Sequence, residues 1–115
     1  MPSSDDLDAG DLVWVELDPV RGTEQSGRRP AVVITPAAYH KVSRLALVCP
    51  ITSNAGPWPF KVMLPDDLKI KGAILVDQVR AVDRSGRIFG RVGRVPVETL
   101  EKMRSILVAV IQPEG

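Results

Sequence analysis

What most restricts this chain is how often its apolar runs are cut short. Ten prolines and nine glycines are spread through 115 residues, and the apolar stretches between them are five to ten residues long. Runs of that length suit strands and are too short for most helices. In LVWVEL (12–17), Val13, Val15 and Leu17 alternate with Leu12, Trp14 and Glu16, and Asp18-Pro19 stops the strand. AVVIT (31–35) is continuously apolar between two prolines and reads as a buried strand, after which Pro36 can start a helical turn through AAYH. LALVCPIT (45–52) alternates Leu45, Leu47, Cys49 and Ile51, and Pro50 within it predicts a sheet edge or a bulge. FKVML (60–64), AILVDQVRAV (73–82) and the glycine-broken RIFGRVGRV (87–95) complete the set, with turns at SNAGPWP (53–59) and DRSG (83–86).

Only the end of the chain has helical spacing. Apolar residues recur at Val97, Leu100, Met103, Leu107 and then Val110 or Ile111, which form one helix face. Pro96 fits the first helical position, Glu98 and Glu101 suit the positive N-terminal end, and Pro113 forbids continuation. The expected fold is mainly β with a C-terminal helix, a small, strongly bent sheet or barrel closed by that helix. Residues 1–9, small and acidic, are expected to be a flexible tail, and residues 10–112 a single domain.

The totals exclude several classes. A net charge of +1 argues against wrapping nucleic acid by bulk electrostatics. The balance conceals an asymmetry: Asp5, Asp6, Asp8 and Asp11 open the chain, while Arg80, Arg84, Arg87, Arg91 and Arg94 crowd a later stretch and suggest a local basic surface. One cysteine, Cys49, forms no internal disulfide, and no Cys/His cluster has metal-ligand spacing. No metal or other cofactor is expected. Neither a secretory leader nor a membrane span is read in the sequence, so the expected location is the cytoplasm.

The polar groups that stand out lie in three places. GTEQSGRRP (22–30) holds Glu24, Gln25, Arg28 and Arg29 between Gly22 and Pro30. A guanidinium presents a planar fork of donors that matches phosphate oxygens, and Pro30 would stiffen Arg29 at a strand entrance. The competing reading is a plain salt bridge to Glu24 or an aspartate. Thr52 and Ser53 end a strand, where hydroxyls can donate to an anion or merely form a turn. Asp77 and Gln78 interrupt an apolar run, and a carboxylate there must be paired or face a cleft. His40 reads as an ordinary surface-turn residue and Cys49 as core, while Trp58 sits in a loop as a contact residue.

Taken together these blocks resemble a known family. GDLVWVELDPVRGTEQSGRRPAVVITP (10–36), LVCPITS (47–53), ILVDQVR (74–80) and GRVP (93–96) match, in order, the MazF/PemK/Kid toxin endoribonucleases. The resemblance implies an SH3-like barrel of the CcdB/PemK type. It also implies a homodimer with RNA in a groove at the dimer interface, metal-independent cutting of single-stranded mRNA at a short sequence, and inhibition by a MazE-like antitoxin. The family's catalytic arginine falls on Arg29 and its catalytic threonine on Thr52. Glu24, Gln25, Arg28, Ser53, Asp77 and Gln78 fall at neighbouring motif positions. Where the Kid branch has an arginine two residues before the motif aspartate, this chain has Leu75.

Cleavage of this kind uses the RNA's own 2′-hydroxyl and needs a proton acceptor, a proton donor and stabilisation of the phosphorane. Arg29 suits the last task and Thr52 can assist it. Glu24 is the candidate base and Asp77 the second choice. The RNA bases would be read by the segments 18–28 and 53–59, with Trp58. Two rival readings are a CcdB-like topoisomerase poison, which the ending Ile111-Gln112-Pro113-Glu114-Gly115 disfavours, and a non-catalytic SH3-like binding module.

Overall fold

The computed structural model describes residues 7–17, 28–54 and 56–113. Seven strands, β1 (Asp11–Val15), β2 (Arg29–Val33), β3 (Leu45–Thr52), β4 (Lys61–Met63), β5 (Ala73–Leu75), β6 (Arg80–Asp83) and β7 (Ile88–Arg94), make one antiparallel sheet. Its order is β4-β5-β3-β2-β1-β7, with β6 pairing β3 beside β5. The helices are α1 (Ala37–His40), α2 (Arg84–Arg87) and α3 (Val97–Ile111). The fold is therefore mainly β with a C-terminal helix. The sheet bends towards a barrel without closing its hydrogen-bond ladder among the described residues. Register shifts between Leu12 and Val13 and between Trp14 and Val15 mark irregularities in the β1–β7 pairing, where added twist helps the edge to curl.

Both faces of the central strands are buried, which is why AVVI carries no polar alternation. One face packs Leu12, Val32, Cys49, Ile51 and Ile74 against Leu100 and Met103 of α3. The other gathers Val13, Val15, Leu17, Ala31, Val33, Ala46, Val48 and Val82 inside the curl of the sheet. Pro96 stands one residue earlier than the helical periodicity suggests, at the N-cap, where its carbonyl accepts from the Leu100 N–H at 3.1 Å. The apolar stripe of α3 is buried at Leu100 and Met103, while Val97 at its start is exposed. Val108, Val110 and Ile111 stay exposed.

The expected single strand over 73–82 is two strands broken by a 3-10 turn at Val76–Gln78. β5 pairs the end of β3 (Ile51 with Ile74, Thr52 with Ala73), and β6 pairs its beginning (Leu45 with Asp83 through Val48 with Arg80). Pro50 thus lies in an interior strand rather than at an edge, in the stretch where neither β5 nor β6 pairs with it. A missing N–H costs no ladder bond on that side. Just before β5, Gly72 adopts φ +130°, and a Cβ built there would sit 2.3 Å from the Thr52 carbonyl oxygen. DRSG, expected as a turn, includes the single helical turn α2, whose N-cap Asp83 accepts from the Ser85 N–H at 2.9 Å.

Of the expected tail, residues 1–6 lie outside the described residues, while Leu7 and Ala9 are buried. His40 is buried too, in place of the surface position expected for it. Its Nδ1–H donates to the Leu7 carbonyl at 2.8 Å, and its Nε2 meets Thr35 Oγ1 at 2.8 Å. With the proton on Nδ1, Nε2 is the ring's acceptor, so the Thr35 hydroxyl, which also accepts from the Leu47 N–H, donates to it. Sequence periodicity has no view of partners 33 residues away.

The arginine crowd is largely spent on structure. Asp11, fully buried on β1, receives Arg94 at 2.9 Å and Arg91 at 3.4 Å from β7. Arg84 is buried and donates to the carbonyls of His40 and Ser43, and Arg87 reaches the Glu16 carbonyl. The expected local basic surface is reduced accordingly.

Asp8 accepts from the Ala37 N–H at 2.8 Å, a bond that holds its carboxyl below the ordinary 3.8, with Arg94 adding to the effect. A lowered folded-state pKa contributes stability in full above the ordinary value, and that contribution is lost as the pH falls through the lowered one. Thermal melts of the wild type and Asp8→Asn, taken between roughly pH 5 and pH 2.5, should therefore converge at the acid end.

Candidate functional site

β2 begins at Arg29, the point at which the chain re-enters the sheet after the segment 18–28. Its main chain pairs with Val15, and the β2–β3 register (Ala31 with Pro50, Val33 with Val48) continued two residues sets Arg29 opposite Thr52. Alternation puts Arg29, Ala31 and Val33 on the face shared by Val48, Pro50 and Thr52, that of the core inside the curl. The apolar run ends at Ala31 on β2, and the next side chain on that face is a guanidinium at the rim. Strand register, more than local sequence, brings these two residues together.

They line one open pocket of about 440 Å³. Arg29, Thr52, Gln78 and Arg80 supply its polar groups; Leu17, Pro50, Ile51 and Leu75 supply its apolar wall. The 3-10 turn delivers Gln78 to this pocket. Thr52 Oγ1 accepts from the Asn54 N–H at 3.1 Å, so the turn reading of this residue holds. The hydroxyl's own hydrogen remains available to a ligand oxygen. Ser53, one residue on, is exposed at the strand end and does not line the pocket.

Asp77 is held elsewhere. Its carboxylate accepts from the Trp58 indole N–H at 3.2 Å, and Trp58 meets Phe60 edge to face at 5.4 Å. Trp58 is therefore fixed at both the nitrogen and the ring edge while remaining 47% exposed, which suits a stacking surface. Lys61 pins the same loop by donating to the carbonyls of Asn54 and Gly56 at 2.8 and 2.6 Å. Arg28 lies apart from Arg29, its guanidinium carbon 3.9 Å from the Phe89 ring centroid. Glu24 and Gln25 lie outside the described residues.

Cys49 is core, as expected, with its thiol pushed up to about 12 by burial, helped by the nearby Asp77 charge. It offers no thiolate at neutral pH. Among the described residues no group of three or more His, Cys, Asp or Glu side chains can hold a metal ion, and no helix is long and apolar enough to cross a membrane.

Arg80 and Lys61 were not singled out for the site from sequence. Lys61 left no local signal. Arg80 did leave one, because it stands two residues before Val82 and shares its face, but the hidden break at Val76–Gln78 obscured where that face begins.

This arrangement has parallels in known proteins. Residues 8–111 match the family described as PemK-like, MazF-like toxin of type II toxin-antitoxin system. The chain is 37% identical to the endoribonuclease toxin MazF of Escherichia coli K12 over 98 residues, covering 85% of this chain and 87% of that one. It is also 37% identical to the Escherichia coli endoribonuclease PemK over 110 residues, 89% of this chain and 83% of PemK. In a crystal structure of MazE-MazF from Deinococcus radiodurans, the matching chain superposes with a TM-score of 0.84 at 38% identity, covering 94% of this chain and 97% of its counterpart.

Proposed function

Because the chain belongs to the PemK-like, MazF-like toxin family of type II toxin–antitoxin systems, we propose that it is an endoribonuclease toxin. It cuts single-stranded mRNA at a short sequence without a metal ion, and so arrests translation and growth in the cytoplasm. The observation that carries this reading is the convergence of Arg29, Thr52 and Gln78 on one open pocket from three separate elements.

In the proposed reaction the 2′-oxygen attacks the adjacent phosphorus and its proton passes to a base. The bond from phosphorus to the 5′-oxygen breaks, and that oxygen takes up a proton. The products are a 2′,3′-cyclic phosphate and a 5′-hydroxyl. Arg29 meets the growing charge on the phosphorane with a donor fork that is always protonated, and for that reason it makes a poor base. Thr52 donates its hydroxyl hydrogen to the same phosphate. Glu24 is the proposed base. Asp77 is less suited, since its carboxylate is engaged by Trp58 and does not line the pocket. Gln25, Arg28, Ser53 and Gln78 hold the RNA alongside, and Trp58 stacks on a base.

We further propose a homodimer, with the exposed Val108, Val110 and Ile111 offering apolar surface to the second copy. A MazE-like antitoxin with an acidic segment would compete for the arginine-lined pocket. The direct test is incubation with long mixed-sequence RNA in EDTA, followed by mapping of the new ends. Discrete cuts carrying 5′-hydroxyls are expected. Intact RNA, or cutting that EDTA abolishes, would overturn the reading.

A further inference from the structure

The reaction proposed above asks one guanidinium to hold the phosphate, but the pocket contains two. Arg80 is the first residue of β6, where extended backbone resumes after the 3-10 turn. It pairs with Val48, as Val82 pairs with Ala46, so its side chain shares the face of Val48, Pro50 and Thr52. Arg29 comes to that face from the opposite side of β3, across from Thr52. The two arginines therefore flank β3, offset by four residues along it, with the small ring of Pro50 between them. With strand spacings of about 4.8 Å and a rise of about 3.3 Å per residue, their Cα atoms stand roughly 16 Å apart. Both side chains line the same pocket, so a phosphate held there can be met from both sides of β3.

Resting on the nuclease reading above, we propose that Arg80 is a second catalytic residue, which grips the scissile phosphate from the side opposite Arg29. The chemistry explains why two positive charges belong there. A phosphodiester carries one negative charge, whereas the phosphorane formed by 2′-oxygen attack carries close to two. The second guanidinium thus gains most of its interaction as the transition state forms, and acts on the rate more than on binding. Losing a contact to a flanking phosphate would do the reverse, lowering affinity and the salt dependence while sparing the rate.

The test is single-turnover cleavage of an RNA bearing a mapped site, followed from limiting to saturating protein. Arg80→Ala should cut about 100-fold or more slowly at saturation, with the half-saturating concentration changed only a few-fold. Arg80→Lys, which keeps the charge without the fork, should recover part of the rate. Arg104→Ala, which removes an exposed charge on α3 paired with Glu101, should cut as the wild type does. If Arg80→Ala does not give a folded melt, Arg80→Gln takes its place. A wild-type saturating rate in the folded variant overturns the assignment, whatever its affinity. If the wild type itself leaves RNA intact, the nuclease reading fails and the Arg80 assignment falls with it.

Discussion

Arg29→Ala is expected to slow RNA cleavage at saturating protein by about 100- to 1,000-fold, the usual cost of removing one preorganised donor from a developing oxyanion. The fold should survive. Arg29 is exposed, and what it gives the sheet is the main chain that pairs with Val15, which alanine supplies equally well. The melting temperature should stay close to wild type, so the loss can be assigned to chemistry. Arg29→Lys should fall between the two, because an ammonium keeps the charge but loses the planar, two-pronged approach to phosphate oxygens. The same alanine variant should bind an acidic antitoxin segment more weakly if the two ligands share the pocket. Normal cutting by Arg29→Ala would sink the site assignment altogether, since every other role in it is arranged around that side chain.

The second large effect comes from a residue with no side chain. Gly72→Ala should destabilise the protein by about 2 kcal/mol or more, from strain at a positive φ combined with a steric overlap. The overlap has no soft partner. The new methyl group would lie 2.3 Å from the Thr52 carbonyl oxygen and 3.1 Å from its carbon, both main-chain atoms of a central strand. Relief requires β5 to move away from β3 at the position where Thr52 pairs with Ala73. Cleavage should therefore fall along with stability. Gly90→Ala is the matched control, as a Cβ there meets nothing within 4 Å. Urea unfolding of both variants reads the difference directly. A Gly72→Ala midpoint equal to wild type would show that the close approach is not maintained in solution.

Much of this architecture could be read from sequence because it rests on short-range rules. Alternation in LVWVEL, the proline-bounded AVVIT and the helical spacing from Val97 each depend on neighbours within a few residues. The larger misreadings involve distant partners. AILVDQVRAV looks like one strand, because an apolar run carries no mark of where the ladder changes partner. The polar pair Asp77-Gln78 was the only local sign of the 3-10 turn. His40 looked peripheral because its partners, Leu7 and Thr35, act through a backbone carbonyl and a hydroxyl that hydropathy does not weigh. Pro50 reads as a sheet edge or a bulge by a sound rule. The structure offers the one interior place where that rule relaxes, between two short strands that share a neighbour. Arg29 and Thr52 emerged as a pair only through resemblance to a family. Physically, what joins them is a register two strands wide.

The pairing of Asp11 with Arg91 and Arg94 has a consequence for how the protein would let go of RNA. Those arginines already have their counter-ion built into the chain, so a polyanion passing over β7 displaces few mobile cations from them. Cation release, the entropic source of indiscriminate nucleic-acid affinity, is then smaller than the number of arginines on β7 would suggest. Such a protein would sample transcripts briefly and dissociate readily from those lacking its site. Turnover, rather than tight retention, is what this internal neutralisation favours.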